Sequence, residues 1–431
     1  MSELAVFGGK TLINFAWPRW PRPGQRDREL LEEVLSSGVW GGTGLGPKIA
    51  ELNRSFAAYC QMKYGAAVAN GTVSMELCLE AWGIGPGDEV IVPAATFMAT
   101  SIAVHHQGAT VVYADLDPKT TNLDPARFEE AINPRTKAVI PVHIGGHPCD
   151  MDPLVAIARK RGIKVLEDAA QAHGALYKGR KAGSLGDAGS FSFQQSKNLQ
   201  SGEGGFITSN DADFIDRIHY SLGKFGRGVR DQYSGHIHYR FGWNACYTEI
   251  QAAIALGQLD RLETETQKRS ANAKILMDNL RGIEGFEPFG YEPYCTRHGH
   301  HLFLARFDSR RFAGVGRAQF LAALNAEGVP CSSFYPMPLY EQPVYKADPR
   351  LQMRYLACPV AEQACREVVF FEQNLLLDEP AHVVLIADAV KKLRGNAKKL
   401  LTLKAGRNDF MGAAVLRQAR KTAGTPPAEK S

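Results

Sequence analysis

The stretch SFSFQQSKNLQSGEGG, residues 190–205, decides the fold-class prediction. Its alternating serines and phenylalanines indicate a strand, which runs into a polar turn, Lys197 and a glycine-rich segment. A lysine at the buried end of a strand is rare, because removing its ammonium group from water is costly. One common exception is a lysine that bonds to a carbonyl cofactor, since this chemistry needs a desolvated amine that can lose its proton. The alternative is that Lys197 is a surface residue at a strand end. The choice between the two depends on motifs elsewhere in the chain.

A second candidate stands just upstream, where the apolar segment at residues 162–167 indicates a short buried strand. Asp168 follows it and would lie at the carboxyl end of that strand, where open α/β sheets bind ligands. Pyridoxal phosphate needs a carboxylate opposite its ring nitrogen, because the anion keeps the nitrogen protonated and the ring able to accept electrons. The alternative is that Asp168 is the N-cap of a helix formed by the AAQA segment after it.

Two further stretches carry features of a cofactor site. Gly71 and Thr72 precede a helix predicted over Val73–Trp82, and a helix start with a glycine suits a phosphate because its N–H groups are unpaired. Phe97 lies just beyond the strand predicted in residues 88–93, so its ring could stack on a flat cofactor. An ordinary helix cap is the alternative for the first stretch, and core packing is the alternative for Phe97.

Four features follow one another along the chain: the helix start at Gly71 and Thr72, Phe97, Asp168 and Lys197. In this order they resemble the motifs of the DegT/DnrJ/EryC1/StrS aminotransferases. These are fold-type I enzymes that use pyridoxal 5'-phosphate (PLP). The matching stretches are ANGT at 69–72, GPGDEVIVP at 85–93, LEDAAQ at 166–171, FSF at 191–193 and GEGG at 202–205. The resemblance implies an α/β fold: a mixed, mostly parallel sheet with helices on both faces, plus a smaller C-terminal α+β domain.

The resemblance also implies roles for the matching residues. Lys197 would bind PLP covalently and move protons, and Asp168 would pair with the ring nitrogen. Gln171 would contact the phenolic oxygen of the cofactor, and Phe97 would stack on its ring. The phosphate contacts would come from Gly71, Thr72, Ser192 and, across a subunit interface, Asn244. The last of these contacts implies a homodimer with shared active sites.

The pattern of strands, helices and charges divides the chain into four parts. We expect an N-terminal arm and helix at 1–45, a large PLP-binding domain at 46–262, a small C-terminal domain at 263–405 and a basic, partly disordered tail at 406–431. From residue 391 to the end, eleven Lys or Arg stand against two acids, a net +9 that exceeds the +5 of the whole chain. The basic excess therefore belongs to the C-terminal segment from residue 391, and we expect no nucleic-acid partner.

Composition agrees with a soluble enzyme. The 431 residues are 45% hydrophobic and 22% charged, which is ordinary for a globular protein of two domains. The eight cysteines form no C-x-x-C pair, no apolar run reaches membrane length and the first residues lack a signal-peptide pattern. We therefore expect a cytoplasmic protein without a membrane partner. The HGHH run at residues 298–301 lacks further ligands nearby, so we expect no metal.

Within the family, four segments resemble the cyclitol and aminoshikimate-type branch most: WP at 17–18, SSGVW at 36–40, FQ at 193–194 and FGWNACYTE at 241–249. That branch includes the glutamine:scyllo-inosose aminotransferases and 3-amino-5-hydroxybenzoate synthase, which serve antibiotic assembly. The implied reaction is a ping-pong transfer of an amino group from glutamine or glutamate to a keto-cyclitol or keto-sugar. Gln195, Tyr335 and Tyr340 are candidates for the substrate pocket, with ordinary packing as their alternative.

Three other functions stay open. One is a nucleotide-sugar aminotransferase with the same chemistry, and another is a non-catalytic partner or regulatory subunit with this fold. The third is a relative of the pyridoxamine-dependent sugar dehydratases, against which Lys197 argues because those enzymes carry a histidine in its place. The complete set of candidate cofactor residues argues against the non-catalytic subunit. The chain also departs from the branch pattern at Cys246 and Tyr247, and it carries FEQN at 371–374 where relatives often place a histidine.

Overall fold

The computed structural model describes residues 3–41, 46–226 and 238–404, so the predicted basic tail at 406–431 lies outside the described residues. The helices are α1 (Gln25–Ser37), α2 (Pro47–Tyr59), α3 (Gly71–Ala81), α4 (Ala99–His106), α5 (Pro125–Ala131), α6 (Met151–Arg161), α7 (Ala212–Asp216), α8 (Glu249–Leu280), α9 (Arg317–Ala326), α10 (Val344–Ala347), α11 (Pro359–Glu367), α12 (Pro380–Gly395) and α13 (Ala397–Leu400). The strands are β1 (Tyr64–Val68), β2 (Glu89–Pro93), β3 (Thr110–Ala114), β4 (Thr136–Val139), β5 (Lys164–Asp168), β6 (Leu176–Tyr177), β7 (Arg180–Lys181), β8 (Ala188–Ser192), β9 (Gly205–Ser209), β10 (Phe286–Pro288), β11 (Cys295–Arg297), β12 (Leu302–Phe307), β13 (Ser332–Ser333), β14 (Met353–Tyr355) and β15 (Val368–Glu372).

Eight of the strands form one sheet, in the order β1-β9-β8-β5-β4-β2-β3-β14. Every pair from β8 to β14 is parallel, whereas β9 pairs antiparallel with both of its neighbours. The predicted mixed, mostly parallel sheet is therefore confirmed. Its edge strand β14 comes from the segment that the sequence assigns to the small domain.

Helices cover both faces of this sheet because successive strand residues point in opposite directions. Val90 and Val92 of β2 belong to a buried cluster with Leu77 of α3. Ile91, between them, belongs to a different cluster with Phe128 of α5. All five residues of β2 are buried, as is typical of a parallel strand with helices on both sides.

A second, antiparallel sheet has the order β10-β12-β15-β13. On one face, Phe303 and Phe371 share a buried cluster with residues of α8, α9 and α12. On the other face, Leu304 and Phe370 share a cluster with Val142 and other residues packed on the large sheet. The small sheet thus packs directly against the large one, while the predicted boundaries at residues 45, 262 and 405 stay a prediction.

Several elements end at the carboxyl-terminal side of the parallel strands in the large sheet. The carboxyl ends of β5 and β8 lie side by side, since Asp168 and Ser190 are register partners. The start of α3 lies on the same side of the sheet, where Gly71 packs against Ser192. No helix in the described ranges is long and apolar enough to cross a membrane.

Candidate active site

Lys197 lies in a turn five residues beyond β8. Its N–H donates to the carbonyl of Gln194 at 2.9 Å, and its own carbonyl accepts from the indole of Trp20 at 3.2 Å. Its Nζ lies 3.4 Å from Nε2 of His301. Loss of water around the amine lowers the pKa of Lys197 to about 8, although the nearby Asp168 carboxylate acts in the opposite direction. A sizeable fraction of neutral, nucleophilic amine is therefore present slightly above neutral pH.

Asp168 is the last residue of β5, and its side chain is buried. One carboxylate oxygen accepts from Oγ1 of Thr100 at 3.0 Å, and the other accepts from the N–H of Ala170 at 3.2 Å. Burial raises the pKa of the Asp168 carboxyl group, against the effect of these two hydrogen bonds and of Lys197. The helix-cap alternative is wrong, because residues 169–174 form turns instead of a helix.

Gln171 and Tyr335, which were predicted separately, lie together. The Gln171 side chain is buried, and its Oε1 accepts from the N–H of Gly145 at 2.7 Å. Its Nε2 donates to the hydroxyl of Tyr335 at 3.4 Å. Gly145 was not a sequence candidate, because its loop carries no motif and it reaches the site only through the fold.

The start of α3 offers an anion site. Gly71 is the first helical residue, and the helix is capped by Asn70, whose side chain accepts from the N–H of Val73 at 2.9 Å. A methyl group on Gly71 would approach Cβ of Ser192 to 2.9 Å, so only glycine lets the helix start lie this close to β8. The N–H groups of Gly71 and the half-buried Thr72 have no acceptor within the helix, because they belong to its first turn.

Phe97 exposes 56% of its surface, so the core-packing alternative for this residue is wrong. It lies one turn before Thr100, whose N–H donates to the Phe97 carbonyl at 3.2 Å and whose hydroxyl binds Asp168. The backbone of Phe97 is therefore linked through Thr100 to the buried carboxylate, and its ring is exposed. That combination suits a flat ligand with a cationic ring nitrogen.

The three remaining candidates are Gln195, Asn244 and Tyr340. Gln195 and Asn244 are exposed, and Asn244 forms a backbone bridge with Lys224. The Tyr340 hydroxyl donates to Oε1 of Glu362 at 3.1 Å, and its ring stacks on Tyr355 with 4.3 Å between centroids. Among the described residues, no hydrogen bond joins Asn244 or Tyr340 to Lys197.

A buried pair behind Asp168 was missed by sequence reasoning. Nε2 of His143 lies 2.9 Å from Oε2 of Glu167, and both side chains are fully buried. Nδ1 of His143 accepts from the N–H of Cys149 at 3.0 Å, which leaves the Nε2 proton to be donated to Glu167. The Glu167 carboxylate also accepts three backbone N–H groups from residues 183–186 at 2.6–2.8 Å. This network fixes the strand that ends in Asp168.

The histidines of the HGHH run occupy the junction between the two sheets. The rings of His298 and His300 stack with 4.1 Å between centroids, and His301 faces Lys197. In the part of the chain that the structure describes, no three His, Cys, Asp or Glu side chains are grouped as metal ligands would be.

The carboxyl-terminal side of the parallel sheet carries Lys197, Asp168, the start of α3 and Phe97. This is the arrangement of a fold-type I aminotransferase. The DegT/DnrJ/EryC1/StrS aminotransferase family matches residues 21–387, and the chain belongs to that family. The expected resemblance is thereby confirmed.

Named relatives extend over almost the whole chain. A putative L-glutamine:3-amino-2,3-dideoxy-scyllo-inosose aminotransferase of Streptoalloteichus tenebrarius is 40% identical, over 93% of this chain and 99% of that protein. The L-glutamine:scyllo-inosose aminotransferase of Streptomyces griseus is 36% identical, over 93% of this chain and 99% of that protein. The crystal structure of 3-amino-5-hydroxybenzoic acid synthase superposes with a TM-score of 0.81 at 30% sequence identity. The superposition covers 89% of this chain and 99% of the synthase chain.

Proposed function

We propose that the protein is a PLP-dependent aminotransferase that moves an amino group from glutamine or glutamate to a keto-cyclitol. The observation that carries this proposal is the pair formed by Asp168, at the end of β5, and Lys197, in the turn that follows the adjacent strand β8. One is an amine whose pKa is lowered to about 8, and the other is a buried carboxylate within electrostatic range of it. Such a pair is what a carbonyl cofactor with a basic ring nitrogen requires.

The residues present fit PLP at each of its functional groups. The start of α3 would hold the phosphate through the N–H groups of Gly71 and Thr72, beside Ser192. Phe97 would cover one face of the ring, and Asp168 would bind the ring nitrogen, whose positive charge would offset the cost of a buried carboxylate. Gln171 would bind the phenolic oxygen. When bound, PLP supplies an electron sink for the carbon that loses or gains the amino group.

The chain's own residues supply binding and proton transfer. In its neutral form, Nζ of Lys197 would take the proton from the α-carbon of the donor and later return a proton to the carbon that receives the amine. His301 would keep a neutral side chain beside this amine, because burial and nearby cations hold the pKa of His301 well below its ordinary value. Asp168 would hold its negative charge against the ring nitrogen throughout.

The acceptor class is supported by the relatives. Their names combine L-glutamine with scyllo-inosose, 2-deoxy-scyllo-inosose or 3-amino-2,3-dideoxy-scyllo-inosose. A nucleotide-sugar acceptor is the second candidate, because the structure of DesI with its TDP-sugar product superposes at a TM-score of 0.78 over 97% of this chain, at 28% identity. Both candidates use the same residues for the chemistry.

We also propose a homodimer with shared sites. Asn244 is exposed and follows two exposed aromatic residues. Tyr239 exposes 65% of its surface to solvent, and Phe241 exposes 100%. Apolar rings with this much exposure are typical of a surface that a second chain covers. Asn244 of one subunit would then reach the phosphate site of the other, which would complete the set of phosphate contacts.

An absorption experiment tests the function. The purified protein loaded with PLP should be yellow, and L-glutamine should bleach it as the amino group moves to the cofactor. The bleached protein should regain its colour with 2-deoxy-scyllo-inosose and its 3-amino analogue, and not with keto nucleotide-sugars. Protein that never turns yellow would contradict the role of Lys197, and recovery with nucleotide-sugars alone would select the second candidate.

A further inference from the structure

The backbone carbonyl of Lys197 is bound by a side chain of the N-terminal arm. Nε1 of Trp20, which stands 177 residues earlier in the chain, donates to this carbonyl at 3.2 Å. The indole side chain is half-buried. In the described ranges, no backbone N–H group donates to the same carbonyl. The indole therefore satisfies a polar group that the turn of the reactive lysine leaves open.

The arm is fixed on both sides of Trp20 by contacts outside the site. Before it, the indole of Trp17 donates to the carbonyl of Gly328, just beyond helix α9, at 2.8 Å. After it, the carbonyl of Arg22 accepts from Nη2 of Arg261, on helix α8, at 2.6 Å. The position of the Trp20 ring is thus set by the rest of the fold and does not depend on its own hydrogen bond to the lysine.

Arg269 of α8 fixes the indole ring itself. Its guanidinium carbon lies 5.2 Å from the centroid of the Trp20 ring, within the range of a cation–π interaction. The Arg269 side chain is fully buried. Its Nε donates to Oε1 of Gln373 at 2.8 Å, and its Nη2 donates to Oε2 of Glu265 at 3.1 Å. The ring therefore lies against a cation that is itself held in place by two hydrogen bonds.

The reactivity of Lys197 depends on the exclusion of water from its surroundings. Loss of water lowers the pKa of Lys197 to about 8, and the carboxylate of Asp168 opposes this effect. The other titratable groups that face the amine are His173 and His301, and burial keeps both imidazoles neutral by lowering their pKa values. A large aromatic side chain against the backbone of the lysine removes water from that side of the residue.

We propose that Trp20 is a positioning residue for Lys197, which holds the turn of the reactive lysine in place and keeps water away from it, and that Arg269 acts through Trp20. The effect on transamination rests on the proposed function, whereas the effect on the lysine itself does not. Without the indole, the turn would be free to move and water would reach the amine, which favours the ammonium form. The N-terminal arm is then part of the active site.

Acylation of the cofactor-free protein at different pH values, read by mass spectrometry at Lys197, tests the proposal directly. Trp20→Ala should raise the midpoint from about 8 by about one pH unit, toward that of an ordinary lysine, so acylation at neutral pH should slow about tenfold. Trp20→Phe keeps a ring and loses the N–H group, so its shift should be smaller. Trp17→Phe is the matched control, because it removes an indole N–H group of the same arm whose acceptor is Gly328. It should leave the midpoint unchanged.

A double-mutant cycle tests whether Arg269 acts through Trp20. Arg269→Met removes the cation and should raise the midpoint, whereas Arg269→Lys keeps a cation and should stay close to wild type. In the Trp20→Ala background, Arg269→Met should add no further shift, because its route to the lysine is already lost. Additive shifts would show that the charge of Arg269 acts on the lysine directly, and would overturn this part of the proposal.

Turnover of the loaded enzyme provides a second readout. Trp20→Ala should lower kcat by about 10- to 100-fold and leave KM for the amino donor close to wild type, since the placement of the amine changes and the binding contacts do not. Trp20→Phe should recover part of this loss. A fall in affinity for the donor with an unchanged kcat would assign Trp20 to substrate binding and overturn its positioning role.

Two results of the acylation experiment would overturn the inference. One is an unchanged midpoint in folded Trp20→Ala protein, or in Trp20→Phe if the alanine variant does not fold, and the other is an equal shift in Trp17→Phe. Both would leave the aminotransferase assignment standing. A wild-type protein that transfers no amino group, but whose midpoint responds to Trp20 as expected, would instead overturn the proposed function and keep the role of Trp20.

Discussion

Nζ of Lys197 lies 3.4 Å from Nε2 of His301, a buried histidine whose Nδ1 has no hydrogen-bond partner among the described residues. Burial and nearby cations hold the pKa of His301 well below its ordinary value, so the imidazole is neutral. A neutral imidazole can accept a hydrogen bond from the ammonium or donate one to the free amine. The lysine therefore has a partner in both of its protonation states, without a second positive charge beside it.

The reactivity of Lys197 should follow a pH profile with its midpoint near 8. Because burial lowers the pKa of Lys197 to about 8, the neutral amine dominates above that pH and the ammonium below it. Acylation of the cofactor-free protein at different pH values, read by mass spectrometry at Lys197, measures this midpoint. Asp168→Asn should move the midpoint to lower pH, since the carboxylate favours the ammonium. A midpoint near that of an ordinary lysine would contradict the environment described here.

Lys197→Ala should lower transamination by at least about 1,000-fold, as expected for the loss of a group that acts directly on the reacting atoms. The variant should still bind PLP without a covalent bond, because the phosphate site at α3 is intact. Steady-state rates and equilibrium dialysis check the two statements. The control is Lys164→Ala, which removes a surface lysine paired with Asp187. Wild-type turnover in the Lys197 variant would refute its role.

Gly71→Ala should weaken PLP binding by about tenfold or more and lower the melting temperature. The added methyl group would lie 2.9 Å from Cβ of Ser192, and overpacking of this kind costs about 1–3 kcal/mol. Titration of the cofactor and thermal unfolding measure both effects. Gly290→Ala serves as the control, since a methyl group there meets no atom within 4 Å. Equal behaviour of the two variants would remove Gly71 from the phosphate site.

Shared sites predict that two inactive variants restore activity when their subunits are exchanged. Lys197→Ala and Asn244→Ala should each be impaired alone. In a mixed dimer, one site has both residues and the other has neither, so an equal mixture should recover about a quarter of wild-type activity. Activity after mild unfolding and refolding of the mixture measures this recovery. Additive behaviour, with no recovery, would mean that Asn244 acts within its own subunit or not at all.

Glu167→Gln should destabilise the fold by about 3 kcal/mol, because the amide cannot replace a carboxylate that accepts four hydrogen bonds in a buried place. Chemical unfolding measures the loss. Asp187→Asn, at a half-exposed carboxylate, provides the comparison and should cost less. A stability equal to wild type would show that the pair with His143 is not needed to hold β5.

Part of the site could be predicted from sequence because its residues stand at the ends of local elements. Asp168 ends a strand, Gly71 opens a helix and Phe97 follows a strand, and each of these patterns is readable within about ten residues. The mostly parallel sheet follows from the alternation of strands and helices in the same way. Lys197 was ambiguous alone, and its meaning came from the other motifs.

The rest depends on contacts between distant segments. His301 reaches Lys197 from 104 residues away, and Gln171 is held by Gly145 through a loop without a motif. The partners of Glu167 come from two loops that no local pattern joins. The contacts of Tyr340 with Glu362 and Tyr355 also lie beyond local sequence patterns, and its place in the substrate pocket stays a prediction.

The edge strand β14 constrains the order in which the protein can be made. It pairs with β3, yet it is synthesised only after β10 and β12 of the small sheet. Until then the outer edge of β3 is open, and an open strand edge favours pairing with other chains. A nascent or truncated chain that stops after α8 would keep that edge exposed. The large sheet is therefore complete only after most of the chain has been synthesised.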